Sequence, residues 1–572
     1  MSAARTLFLI AISASSLFAQ MDMSGHDMGT ENQTPPADLP VPQRMTGIGN
    51  SHMQITAKPE AQIWFDQGLN LIHDYWDYES ARAFEQSIRV DPQCAICYWG
   101  LAQAEAFYHG LAQGYAAPAL ASAVKLKSHA SKRERLFIEA TAATEEARES
   151  DNPGRALAAA TQLWRKLAKE YPTDIQARLF LAQHVGSKEK IAILEGILKE
   201  DPNNSAANHY YIHALEGGPH PEQALHSAQI LATLAPASGH MVHMPGHIFS
   251  RLGDYAAAEK AFAASMLVDE HYTEAQHVQT DNDWNYVHNL MYAIANLMEE
   301  GKLSQATALS AKLTVARGEL ESTLYTYSAR DSISRVDPRL PVALRTANWP
   351  QVIERLKASP VSPKLPNLEF LSRQLTAFAT GMQAVGVHDL TLAERSSAQL
   401  DAGLWRMSPQ SRTMPAMPAA APAGPPKLEV MPDADLQPLL GTLSIMSLEL
   451  RASLLSAQGQ KADAHSLFAK AAQAEKALGY REPPGYIRPV GETEAAAMMD
   501  ADDWTDARAA YEQALLERPR SGFALYGIAL SSEKAGNREA AAKEYAAFLA
   551  AWKDADPALP QIAHAKNYAA AL

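Results

Sequence analysis

Residues 61–92 read AQIWFDQGLNLIHDYWDYESARAFEQSIRVDP. Counted from Ala61, large side chains fall at positions 4 (Trp64) and 24 (Phe84), and small ones at 8 (Gly68), 20 (Ser80) and 27 (Ser87). Small residues at those three places let two helices approach closely while the large ones fill the space between them. Pro92, at position 32, stops the second helix because it cannot continue the hydrogen-bond ladder. The stretch is predicted to be a helical hairpin.

The same phase returns at the far end of the chain. From 488, Trp504, Ala507, Tyr511, Ala514 and Pro519 fall at 17, 20, 24, 27 and 32. From 522, Leu525, Ala529, Gly536, Ala541, Tyr545 and Phe548 fall at 4, 8, 15, 20, 24 and 27. Between the ends, Pro202 and Pro236 lie 34 apart and close two more units, and a further unit from 239 has Gly253, Tyr255, Ala258 and Phe262 in place. This pattern resembles the tetratricopeptide repeat, a 34-residue helix–turn–helix unit. With almost no strand-like alternation, the expected fold is all-α, a tetratricopeptide-type α-solenoid winding into a superhelix with a concave groove.

The first 19 residues, MSAARTLFLIAISASSLFA, carry one positive charge, a short apolar run and a small-residue end, as a secretory signal peptide does. The expected location is therefore outside the cytoplasm, periplasmic or secreted. No later stretch looks apolar and long enough to cross a bilayer, so no membrane insertion is expected after cleavage. A net charge of −14 without a basic block argues against nucleic acid as a partner. Residues 20–55 read as a disordered tail containing methionine and histidine, 56–405 as an N-terminal repeat array, 406–438 as a Pro/Ala/Met-rich linker, and 439–572 as C-terminal repeats. The two cysteines, Cys94 and Cys97, form either a local disulfide or a reduced, packed pair.

Five histidines gather in HYYIHALE (209–216) and GHMVHMPGHIFSRLG (239–253). In register, His209 and His243 both occupy position 5, and His213 and His247 both occupy position 9. Glu216 is at 12, His240 at 2 and Arg251 at 13. The repeat resemblance implies that these positions of the first helix line the concave groove, and His288 at the start of the next helical pair could join them. Residues four apart on a helix are neighbours about 5–6 Å apart, and packed helices lie about 8–10 Å axis to axis. His209, His213, His243 and His247 are therefore expected to form a two-by-two patch. One feature opposes it: Pro245 disfavours helix at Met244, which would leave His240 and His243 in an extended lead-in.

Neutral imidazoles suit zinc, copper or nickel, with contacts of about 2.0–2.1 Å for zinc, and a partly protonated cluster could instead bind an anion or sense pH. The patch could equally be a polar lining for a peptide. With a metal, Glu216 could serve as the base of a hydrolase. In the tail, Met21, Met23, His26 and Met28 pair soft thioethers with an imidazole, a set that favours copper(I). His73 is a weaker groove candidate, and His220 and His226 read as surface residues. No phosphate loop, Gly-x-Ser-x-Gly or His-Glu-x-x-His occurs, so no conventional enzyme domain is visible.

Together with DPQCAICYWGLA, EPPGYIRPVGE and FALYGIALSSEKAG, the two histidine motifs resemble a group of large exported bacterial tetratricopeptide proteins. The resemblance implies architecture and location, and no settled chemistry. The leading expectation is an exported scaffold binding a protein or peptide through a histidine-bearing groove. The alternative is a periplasmic metal-binding protein for copper or zinc.

Overall fold

A computed structural model describes residues 35–108, 115–280, 283–316, 329–407, 433–481 and 483–571. The signal peptide and the Met21–Met28 cluster lie outside the described residues, as does most of the linker. Among the described residues there are helices and no strand.

The helices pair into antiparallel hairpins. The first is α1 (Pro59–His73) with α2 (Asp77–Val90), followed by α3 (Ala95–Tyr108) with α4 (Ala116–Leu126), and α5 (Lys132–Arg148) with α6 (Pro153–Glu170). Next come α7 (Ile175–Gln183) with α8 (Ser187–Glu200), and α9 (Ser205–Glu216) with α10 (Leu225–Leu234). Two short helices, α11 (Gly239–His243) and α12 (Pro245–Arg251), pack together on α13 (Tyr255–Gln276), and α14 (Trp284–Glu299) pairs with α15 (Leu303–Ala316).

The small residues of the opening stretch act as expected. A Cβ added at Gly68 or Gly100 would come within 2.9 or 2.2 Å of the Phe84 ring. Ser80 Oγ donates to Gly68 O and Ser87 Oγ to Ala61 O, each at 2.8 Å, so both hydroxyls are satisfied where the helices touch. Cys94 and Cys97 are joined as a disulfide.

Three differences from the sequence reading matter. First, residues 35–55 are packed, not disordered. Leu39, Ile48, Met53 and Ile55 are buried, and Asn70 of α1 both donates to Ser51 O and accepts from Ser51 N at 2.8 Å. Their apolar residues are too sparse to show a period, and side chains from distant helices satisfy their backbone. Second, helix resumes at Leu436, earlier than the linker boundary, anchored by Asp433, which accepts from the backbone N–H of Asn367 and Leu368. Third, that helix, Leu436–Ala457, is long and apolar enough to cross a membrane, contrary to expectation. Two thirds of its apolar window (67%) is buried in protein, with Leu439, Leu443 and Leu450 in a core cluster.

The N-terminal hairpin does not only stack on its neighbour. It folds back across α9, α13 and α14, so Trp64, Leu71, Trp76 and Tyr78 share a core cluster with Tyr272, Tyr286, Leu290 and Ile294. Tyr272 OH donates to Glu79 and Trp284 Nε1 to Tyr75 O, both at 2.8 Å. The inner side of the array is therefore covered where the histidines lie.

Candidate metal centre

The helix bearing the first histidine pair starts at an Asn204 cap, whose side chain accepts from Ala207 N. Ser238 caps α11 in the same way. Met244 stays right-handed helical (φ −55°, ψ −36°), so α11 runs into α12 with Pro245 at the first position of the second helix. The extended lead-in expected from Pro245 is absent, because its missing N–H falls where a helix start has no partner for one.

The predicted patch is present, but larger and buried. His209, His243 and His247 have no exposed surface, His240 and His288 are 3% and 4% exposed, and the His213 side chain is 13% exposed. The six imidazoles sort into two triads, His209–His213–His240 and His243–His247–His288. Within each triad, ligand nitrogens all lie within 4.8 Å of one another. The triads adjoin: the His240 and His243 ring centres are 5.9 Å apart, and those of His213 and His247 6.2 Å. His240 and His288, expected only along a groove, are full members.

The hydrogen bonds fix which nitrogen donates outward on five of the six rings. His209 Nδ1–H donates to His73 O at 2.6 Å. Asn289 Nδ2 donates to Phe262 O, so its Oδ1 is left to accept from His243 Nδ1–H at 2.7 Å. Asn285 Nδ2 likewise donates to Asp269, leaving Oδ1 for His240 Nδ1–H at 3.1 Å. Glu216 takes His213 Nδ1–H on Oε1 at 2.7 Å and His247 Nδ1–H on Oε2 at 2.5 Å. Five rings thus donate through Nδ1, and a ring that is neutral then carries its lone pair on Nε2. His209 Nε2 and His240 Nε2 are buried with no hydrogen-bond partner. His243 Nε2 and His247 Nε2 face each other at 2.6 Å, within hydrogen-bonding distance.

Burial is the main reason four of the imidazoles resist protonation. It holds His209, His240 and His243 well below the ordinary histidine value, helped by neighbouring rings, and takes His288 down to about 3. Burial alone would raise Glu216; the adjacent His213 and His247 outweigh it and hold the carboxyl well below the usual range. His209, His240, His243 and His288 are thus held as neutral donors beside one carboxylate.

Aromatic rings wall the cluster. Tyr75, in the left-handed region at φ 58°, lies against His209 and His213, with ring centres 4.8 and 5.3 Å apart. Trp284 lies against His240, and Tyr292 stacks on His247 at 4.5 Å. Tyr480, from the C-terminal half, meets Tyr292 hydroxyl to hydroxyl at 3.1 Å and covers Gly217.

Three expected roles change. Glu216 is 4% exposed with both oxygens committed to imidazoles, so it orients two rings and is not placed as a base for water. Arg251 donates to Glu216 O and Gly218 O, closing the end of α9 and lining no groove. His73 is a structural residue, bonded to Tyr210 OH and Gln176. His220 and His226 are exposed, as expected. Sequence reasoning missed Asn285 and Asn289. DWNYVHN does hold a signal for them, since both asparagines flank His288 by three or fewer residues on one predicted helix.

No family model matches this chain, and no curated protein does. Among solved structures, yeast Tom70 covers 90% of this chain and 95% of its own at 11% identity and a TM-score of 0.30. The human IFIT1 dimer with m7Gppp-AAAA covers 86% and 96% at 12% identity and 0.31, and the P58(IPK) TPR domain covers 84% and 99% at 11% and 0.20. Overlap that weak says nothing of what this chain binds. The all-α, tetratricopeptide-type array is seen directly in its own hairpins and their 34-residue register.

Proposed function

We propose that this chain is an exported metal-binding protein in which a helical-repeat array encloses a histidine centre for copper or zinc. The observation that carries the reading is the common orientation of the rings. Outer partners hold Nδ1–H on His209, His213, His240, His243 and His247, which leaves Nε2 as the remaining ligand position on rings that cluster in a buried space. Metal-bound histidines are typically held in this way by an outer carboxylate or carbonyl. A peptide-binding role for these histidines finds no support, because the rings are walled off. Such arrays do offer extended surfaces to protein partners, and a scaffold role elsewhere on the chain is compatible with a metal centre. The acidic balance keeps nucleic acid out of the reading. The thioethers of Met21, Met23 and Met28 add a soft-metal signal in the sequence.

Elemental analysis of protein purified after expression with its leader tests this, beside a His209→Ala/His243→Ala variant. Stoichiometric copper or zinc in the wild type, lost in the variant, is expected. Metal at trace levels, or equal in both proteins, would overturn the proposal.

A further inference from the structure

We infer that the six histidines form two separate three-imidazole copper(I) sites joined through Glu216, so that the protein holds two ions whose ligand rings share one positioning carboxylate. This rests on the metal-binding reading above and goes beyond it in number, charge and coupling.

The number follows from the donor set. Biological sites for zinc and similar ions take about four ligands at short range, which six converging imidazoles exceed. The chain also divides them by element. The first triad comes from α9 and the first turn of α11, and the second from the end of α11, α12 and α14. Each triad leaves a fourth position of a tetrahedron without a protein ligand.

The charge follows from the surroundings. Imidazoles bring no charge, and the carboxylate bonded directly to the ligand rings is Glu216, one negative charge for both triads. Asp269 reaches the site only through Asn285. The cost of burying an ion grows with the square of its charge. Two monovalent ions beside one carboxylate leave a net single charge in this closed, aromatic space, and two divalent ions would leave three. Imidazole serves copper well, and copper(I) is the monovalent choice.

The coupling follows from the hydrogen bonds. One oxygen of Glu216 orients His213 of the first triad and the other orients His247 of the second. Glu216 is thus a positioning residue for both sites, and its loss acts on both together. His243 Nε2 and His247 Nε2, 2.6 Å apart, are close enough for one cation bound to both to replace the contact between them.

The test titrates full-length apo-protein anaerobically with copper(I) against a chromogenic copper(I) chelator, and separately with zinc against a zinc dye. Wild type is expected to hold two copper(I) per chain. His209→Ala and His288→Ala are each expected to hold one, and Glu216→Gln to hold two with both weakened at least about tenfold. One copper per chain in the wild type would overturn the pair, as would loss of all copper in each single-triad variant. Two zinc ions held more tightly than copper(I) would overturn the monovalent assignment. Glu216→Gln weakening only one ion would overturn the coupling. Binding of neither metal would sink the metal reading itself. X-ray absorption of the wild type at two equivalents gives a variant-free check: nitrogen-only first shells of about three ligands are expected, and sulfur in the first shell would refute the three-imidazole assignment.

Discussion

At the scale of single residues, the centre depends on groups that hold ligands without being ligands. Gly239 opens α11, where an added Cβ would lie 1.6 Å from Asp269 Oδ1 and 2.9 Å from Asn285 Nδ2. Asn285 in turn holds His240. Gly239→Ala is therefore expected to cost about 1–3 kcal/mol as overpacking and to weaken binding at the first triad beyond that loss of stability. Thermal melts and copper titration read the two effects separately; unchanged affinity in a folded variant would refute the relay through Asn285. Part of this arrangement was legible in the sequence. A 34-residue register put His209 with His243 and His213 with His247, and the structure brings all four together. Nothing in that register showed that His240 and His288 complete triads, because His288 comes from another hairpin whose phase an insertion obscures. Glu216 was legible as a neighbour of His213, while its second bond, to His247, needs two repeats packed in three dimensions.

At the scale of elements, short helices and buried acids set how firmly each hairpin is held. The α11–α12 junction tolerates Pro245 because the chain needs no N–H there, so Pro245→Ala is expected to change stability by less than about 1 kcal/mol and to leave ion binding intact. A large loss of either would show that the proline itself positions His243 against His247. Further along, burial raises Glu449 to about 7 and Glu475 to about 8, although Tyr486 OH and Val490 N donate to them. The folded state thus keeps protons that the unfolded chain releases above its ordinary carboxylate pKa. Stability from these groups is complete below about pH 4.3 and is lost as pH rises through 7 to 8, at up to about 1.4 kcal/mol per pH unit per group. The melting temperature should fall between pH 5 and 8, and Glu449→Gln/Glu475→Gln should flatten that fall. An unchanged slope would mean that other buried acids, such as Asp269, carry it. The packed 35–55 segment belongs to this scale as well: its composition resembles a loose tail, and side chains of α1, α2, α9 and α13 give it a fixed path.

At the scale of the whole molecule, the array is held closed by contacts far apart in sequence, which repeat counting could not reveal. The fold-back of α1 and α2 over α13 and α14 is one. The other is a buried ionic staple between the two halves. Arg345, with no exposed side chain, binds Glu299 at the end of α14 and Glu492 of the helix Val490–Asp500, at 2.6–2.9 Å. Ser521 Oγ and Trp552 Nε1 also donate to Glu299, so the C-terminal repeats grip the helix that carries His288. The net worth of such a network is small when all its members are replaced together, and large when one is removed alone. Arg345→Met is therefore expected to cost about 3–5 kcal/mol, since it leaves two buried carboxylates facing each other. Adding Glu299→Leu and Glu492→Leu should recover most of that loss. Hydrogen exchange localises the effect: in the single variant, protection should fall in 284–299 and 490–534 before it falls in α1 and α2. Uniform loss across the chain would mean that the two halves unfold as one unit, and that the staple does not separately hold the histidine helix.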